Sequence, residues 1–293
     1  MSKLNKIFSK NIGFNIINYI YFNTKNYVER RNENEQKLKD INWINKFINS
    51  DSITFNLDST TKIELYKDSI LSRLIFEGFE VDEIAFLKKT LKPGDIFLDV
   101  GANIGVFSLI AANIVTESGK VICFEPSPVT YNRLVSNIKI NNFTNIDAFN
   151  VGLSDKSDTL DLNISENGYD AWNTFAKVEN EKFHKKIAIK VNTLDKALEN
   201  IAKEKIRLVK LDVEGWEKFV LLGGKNFLIN YSPILMVEFT ETNTFDAGYF
   251  VQEIYDIIVE YGYLWYRFKD RILIPEKKQL HYPYDNLVAI KKQ

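Results

Sequence analysis

Two stretches of the chain concentrate residue types that do chemistry: DVGANIG at 99–105 and KLDVEGWE at 210–217. In the first, Gly101 and Gly105 follow the apolar run IFL and open the helical pattern IGVFSLIAANIV. That is how a strand turns tightly into a helix beside a ligand. The turn is not built for a nucleoside triphosphate, because a P-loop places Lys after its last glycine and Gly105 is followed by Val106. It is a poor dinucleotide turn as well. The second and third glycines of G-x-G-x-x-G would fall at Asn103 and Val106, where a pyrophosphate needs close backbone approach. A ligand without phosphates makes no such demand.

Further acidic positions narrow the ligand. Glu125, followed by Pro126, ends KVICFE twenty residues after Gly105, where a carboxylate accepts from both hydroxyls of a ribose. Ser154 and Asp155 end the strand pattern IDAFNVGLS, where a carboxylate can accept an adenine amino group. Asp212 and Glu214 stand at the tip of RLVKL, and negative charge there favours a neighbouring sulfonium. Ribose, adenine and sulfonium together describe S-adenosylmethionine, with S-adenosylhomocysteine as its demethylated product.

Methyl transfer is an in-line displacement, so alignment carries much of the catalysis. An alcohol acceptor also needs a group to take its proton. Asp212 is the first candidate for that neighbourhood, with Glu214, Glu238 and His184 behind it. Glu238 lies inside the apolar pattern PILMVEFT, where an acid is costly unless paired or at the edge of a site. Asp212, Glu214 and Glu238 also offer oxygen ligands that suit Mg²⁺, although the motifs require no metal.

Each position has a plainer reading. The glycines can serve the turn alone, and Asp212 can cap the next helix, whose first turn favours acids. Glu217, three residues after Glu214 on that helix, can face solvent or Lys218. Trp172 and Asn173 in DAWNTF can pack the insertion or shape an acceptor pocket, His281 is a weaker candidate than His184, and Cys123 reads as an inert core residue.

The elements that must position these groups alternate. IFLDV, KVICFE and IDAFNVGLS read as strands separated by the helical patterns IGVFSLIAANIV and PVTYNRLVSNIKINN. TLDLNIS and IAIKVNTL read as extra strands around an irregular insertion, and TLDKALENIA as a helix opened by Thr193. RLVKLD and PILMVEFT are further strands, GYFVQEIYDIIVEYG is a long helix, and YLWYRF with NLVAIKK forms a closing antiparallel pair. Such alternation predicts an α/β domain with a mainly parallel sheet covered on both faces, its ligand beyond the carboxyl ends of the strands. Upstream, SITFNLD and KIELYKD read as short strands and VDEIAFLKKTL as a helix stopped by Pro93 and Gly94.

DVGANIG, CFEPSP, the GLSD step and KLDVEGWE, in this order, resemble the FkbM-type family of S-adenosylmethionine-dependent methyltransferases. YKDSILSRLIFEGFEVDE resembles the family's entry segment and DNLVAI its closing strand, so the likeness runs over about residues 53–291. The resemblance implies a Rossmann-like fold with a mainly parallel seven-stranded sheet, an antiparallel last strand and helices on both faces. It implies that Asp99, Gly101, Asn103 and Gly105 line the methionine end of the cofactor and that Glu80 closes over it. It also implies oxygen as the methylated atom, on a sugar of a glycan or on a secondary metabolite. A nitrogen acceptor on a peptide or small amine, or a non-catalytic partner of a glycan-building complex, remain the alternatives.

The chain of 293 residues divides, on this reading, into a helical extension at 1–50 and a methyltransferase domain at 51–293. Charge is balanced, with 38 basic against 39 acidic residues, so no positive field advertises nucleic acid. One cysteine excludes an internal disulfide framework and fits a reducing cytoplasm, and with two histidines it is too little for a Cys/His zinc site. The opening MSKLNKIFSK lacks the apolar core and cleavage site of a secretory signal. Residues 12–22, IGFNIINYIYF, are apolar but short of the roughly 20 residues that span a bilayer. They are expected to pack on protein, with peripheral membrane contact as the alternative. Nothing in the sequence bears on oligomeric state.

Overall fold

The computed structural model describes residues 35–165, 173–176 and 184–292. The chain divides into two units with the boundary after Ile53. In the first, the described residues form helix α1 over 35–46, and the rings of Trp43 and Phe47 meet edge to face with centroids 4.6 Å apart. The apolar segment 12–22 lies outside the described residues.

The elements that follow are β1 (Ser52–Asn56), β2 (Lys62–Tyr66), α2 (Ile70–Glu77), α3 (Val81–Thr90), β3 (Ile96–Val100), α4 (Val106–Val115), β4 (Lys120–Phe124), α5 (Pro128–Ile140) and β5 (Ile146–Phe149). Next come β6 (Gly152–Leu153), β7 (Asp158–Ser165), β8 (His184–Asn192), α6 (Leu194–Ala197), β9 (Ile206–Leu211), α7 (Glu217–Gly223), α8 (Lys225–Tyr231) and β10 (Ile234–Phe239). The chain closes with α9 (Glu241–Asp246), α10 (Gln252–Glu260), β11 (Tyr263–Lys269), β12 (Ile272–Pro275) and β13 (Asp285–Lys291).

The main sheet has eight strands in the order β12-β11-β13-β10-β9-β3-β4-β5. The five from β10 to β5 are parallel, and β13 runs antiparallel to both β10 and β11. Every residue of β3 is buried, which is why IFLDV is almost wholly apolar: a strand covered on both faces has no solvent side to alternate toward. Leu98, Val100, Val209 and Val237 pack with Phe227, Leu228, Ile254 and Ile258 of α8 and α10 on one face. Cys123 points the other way, onto Leu134 of α5. Helix α5 starts where the sequence signals it, with Ser127 as N-cap accepting from the Thr130 N–H and Pro128 in the first turn.

Two expectations are corrected. The sheet has eight strands rather than seven, because Ile272–Pro275 folds back onto β11. Asp270 and Arg271 make this two-residue hairpin with φ of 49° and 64°, a left-handed pair that the dipeptide Asp-Arg does not advertise. The stretch IDAFNVGLS is not one strand either. It breaks at Asn150, which donates to the carbonyls of Glu125 and Pro126, and Gly152–Leu153 joins β8 and β7 in a separate three-stranded sheet. Among the described residues no helix is long and apolar enough to cross a membrane.

Candidate active site

A cavity of about 330 Å³ lies at the carboxyl ends of β3, β4, β9 and β10. The chain leaves β3 for β4 on one side and later returns through β9 on the other, so the cavity sits where the strand order reverses. Gly101 makes this juncture close. At φ +85° it brings its Cα so near the β9 loop that a Cβ would stand 1.8 Å from the backbone oxygen of Asp212. The Asp212 N–H in turn donates to the carbonyl of Val100 at 3.0 Å. Glycine here is a demand of tertiary packing as well as of the turn.

Of the positions singled out in the sequence, Glu80, Asp99, Gly101, Asn103, Gly105, Glu125, Pro126, Asp212, Glu214 and Glu238 all line this cavity. Glu125 is buried, and its two oxygens accept from the Asn103 N–H at 3.0 Å and the Ser127 N–H at 2.8 Å. Burial pushes its carboxyl up to about 7, against those two hydrogen bonds. Asp99 accepts from the Ser108 hydroxyl at 2.6 Å through one oxygen, and its other oxygen is buried without a partner. Burial raises this carboxyl too, opposed by Lys210. The side-chain oxygen of Asn103 is likewise buried and unpartnered.

Glu80 comes from the entry segment, at φ 43° just before α3. It accepts from the Tyr284 hydroxyl at 3.2 Å and the Asn286 amide at 3.4 Å, more than two hundred residues along the chain. Burial pushes its carboxyl up to about 7, with Lys210 working in the other direction. Lys210 was not singled out by the sequence reading, and it is the only cation among the described residues that line the cavity. Its ammonium lies 2.6 Å from Asp212 Oδ2 and 4.7 Å from the centre of the Phe107 ring. Burial alone would lower it, but Asp212, Glu80 and Asp99 outweigh burial and hold it charged. The signal was present: a lysine in the middle of an apolar strand pattern is costly unless it meets acids.

The residues after β9 behave differently from the helical reading. Helix α7 begins at Glu217, so Asp212 caps nothing and pairs with Lys210 instead. Glu214 is not on the helix but in the loop, at φ 53°, and accepts from the Asn243 amide at 2.7 Å. Glu217 does not face solvent. It is buried, accepts from the N–H groups of Val213 and Gly215, and so ties the acidic loop to the helix. Burial, then the neighbouring Asp212 charge, raises both Glu214 and Glu238 well above the usual carboxylate range.

Ser154 and Asp155 follow Leu153 but are not among the residues that line the cavity. The Ser154 hydroxyl accepts from the Trp216 indole at 3.1 Å, its carbonyl packs on Gly223, and Asp155 is exposed. The neighbouring wall of the cavity is apolar, formed by Phe124, Val151, Leu153 and Leu162. His184 enters as the first position of β8, its backbone paired with Ser165, and its side chain lies outside what is described. Asn173 lines the cavity, while Trp172 lies outside the described residues. Tyr284, on the approach to β13, is a lining residue that no local pattern announced.

The chain is similar to the methyltransferase sdnD of Sordaria araneosa, 30% identical over 45% of this chain and 61% of that protein. It is 34% identical to the hexuronic acid methyltransferase AglP of Haloferax volcanii, over 54% of this chain and 61% of that protein. It is 24% identical to the 2-O-methyltransferase NoeI of Sinorhizobium fredii, over 57% of this chain and 72% of that protein. The first two matches thus take in about three fifths of each relative's length. Residues 99–264, from the carboxyl end of β3 through β9 and β10, match the FkbM methyltransferase domain, and the chain belongs to that family.

Proposed function

We propose that the protein transfers a methyl group from S-adenosylmethionine to a hydroxyl oxygen of a sugar or similar small acceptor. One observation carries the reading: among the described residues, six carboxylates line the cavity, from Glu80, Asp99, Glu125, Asp212, Glu214 and Glu238, against the single ammonium of Lys210. Burial raises five of these acids, and a ligand that brings two positive centres, an ammonium and a sulfonium, favours their charged forms, whereas a phosphate would oppose them. Polar atoms buried without partners, Asp99 Oδ1, Asn103 Oδ1 and Glu80 Oε2, supply acceptors for that ligand's donors.

Glu125, with its backbone donors already fixing it, takes the ribose hydroxyls, and the apolar wall of Phe124, Val151 and Leu153 takes the adenine face. Asp99 receives the ammonium, and Glu80 shuts the entrance, held by Tyr284. The bound cofactor supplies a methyl carbon whose bond to sulfur breaks, the electron pair returning to sulfur as the new carbon–oxygen bond forms. Asp212 is anchored through Oδ2 by Lys210, which leaves Oδ1 to accept the acceptor's hydroxyl hydrogen bond and then its proton. The name of one relative, a hexuronic acid methyltransferase, supports a sugar as acceptor, and that of another, a 2-O-methyltransferase, supports oxygen as the methylated atom.

Calorimetric titration tests the cofactor. S-adenosylhomocysteine binds at one site per chain, while NADH and ATP bind far more weakly; tighter NADH binding overturns the reading. Incubation with methyl-labelled S-adenosylmethionine and a panel of uronic and neutral glycosides, read by mass spectrometry, tests the acceptor. Label found only on amines would replace oxygen by nitrogen.

A further inference from the structure

At the end of the cavity formed by the tips of β9 and β10, one carboxylate oxygen each from Asp212, Glu214 and Glu238 lies within 4.8 Å of the other two. Two of these groups have only one oxygen engaged. Lys210 holds Asp212 Oδ2, and the Asn243 amide holds Glu214 Oε2. Glu238 is the telling member. It is only 6% exposed, it lines the cavity, and its Oε2 is buried with no hydrogen-bond partner. Its neighbour across the sheet is Asn286, whose amide could have satisfied it. That amide is turned instead to Glu80 and Glu83, at 3.4 and 3.2 Å.

A buried carboxylate left without a donor is unfavourable unless a cation or a proton compensates it. The Lys210 ammonium is paired with Asp212 and reaches Glu238 only through its longer-range charge. Three oxygens from three carboxylates, converging and partly desolvated, are the donor set of a hard divalent ion. We propose that Asp212, Glu214 and Glu238 bind one such cation, Mg²⁺ or Mn²⁺, at the acceptor end of the cavity, where the acceptor's hydroxyl oxygen becomes a further ligand. The place of the hydroxyl rests on the methyl-transfer reading; the cation site itself rests on the carboxylates.

The full chain, stripped with EDTA and dialysed, is titrated with Mn²⁺ alone while free Mn²⁺ is followed by electron paramagnetic resonance. One ion per chain is expected, with Kd on the order of 10⁻⁵–10⁻³ M, competed by Mg²⁺. Glu238→Gln and Glu214→Gln should each weaken it by about 10-fold or more, whereas Glu253→Gln, on the ion pair with Lys218 outside the cavity, should not. Circular dichroism accompanies each variant, and if Glu238→Gln does not fold, Glu214→Gln decides. Absence of saturable Mn²⁺ binding to the parent chain, or binding that neither variant moves, overturns the proposal. S-adenosylhomocysteine binding in EDTA is measured in parallel. Nucleoside binding without a Mn²⁺ site removes the cation and leaves methyl transfer standing; a Mn²⁺ site without nucleoside binding does the reverse.

Discussion

The substitution Gly101→Ala probes the contact that makes the cavity. A methyl group at that position would lie 1.8 Å from the Asp212 carbonyl oxygen, 2.8 Å from its carbon and 3.2 Å from Val213 Cγ1. None of the two backbone atoms can rotate away, so the tips of β3 and β9 must part and strain the hydrogen bond from the Asp212 N–H to Val100. The left-handed backbone costs alanine about 1–2 kcal/mol, and forcing atoms into a packed contact adds about 1–3 kcal/mol. The sum, about 2–5 kcal/mol, lowers the melting temperature by about 4–20 °C for a domain of this size. Gly248 supplies the control: its φ is +86°, against +85° at Gly101, but nothing lies within 4 Å of its Cβ position. Gly248→Ala therefore carries the backbone cost alone. Thermal and urea unfolding of both variants isolates the crowding, and titration with S-adenosylhomocysteine shows whether parting the tips also weakens binding. Equal destabilisation by the two substitutions would refute the argument that glycine at 101 is set by the approach of β9.

Three further outcomes follow from the site. Glu125 keeps its proton up to about 7 when folded but loses it near 4.5 when unfolded, so the native state holds more protons in that window and stability falls as pH rises through it. Glu125→Gln should remove about 1–3 kcal/mol of the loss between pH 5 and 8; urea midpoints that stay parallel to the parent's across that range would rule the group out as its source. Lys210→Met leaves Asp212, Asp99 and Glu80 without their shared cation and should cost about 3–5 kcal/mol, checked by equilibrium unfolding at pH 7.5. A variant within about 1 kcal/mol of the parent would show that the cation is dispensable. Asp212→Asn preserves shape and should lower turnover by about 10²–10⁴-fold with S-adenosylhomocysteine affinity little changed. Turnover within a few-fold of the parent would transfer the base to Glu238.

Much of the framework was legible because it is locally encoded. Strands covered on both faces must be runs of apolar residues, so IFLDV, KVICF and RLVKL announced themselves, and their alternation with helical patterns implied parallel order. The helical pattern that begins at Pro128 became α5, and Thr193 capped α6 as the sequence suggested. The hairpin at Asp270 and Arg271 was invisible because neither residue is a common left-handed turn former in that pairing. Glu217 was misread because its charge suggested solvent, whereas two N–H groups of a tight loop needed an acceptor.

The sequence alone thus determined which segments form the central strands and that their tips carry glycine turns and acids, since burial and turn chemistry act over a few residues. Only the tertiary structure decided which of those acids share a cavity. The order β4-β3-β9-β10 sets Asp99 and Lys210 side by side as register partners and places Asp212, Glu214 and Glu238 together. The same packing turns Ser154 toward Trp216 and Asp155 to solvent, and closes Tyr284 onto Glu80 across 204 positions of chain. A carboxylate's role depends on which donors and charges lie within a few ångströms, and strand order, a long-range property, selects them.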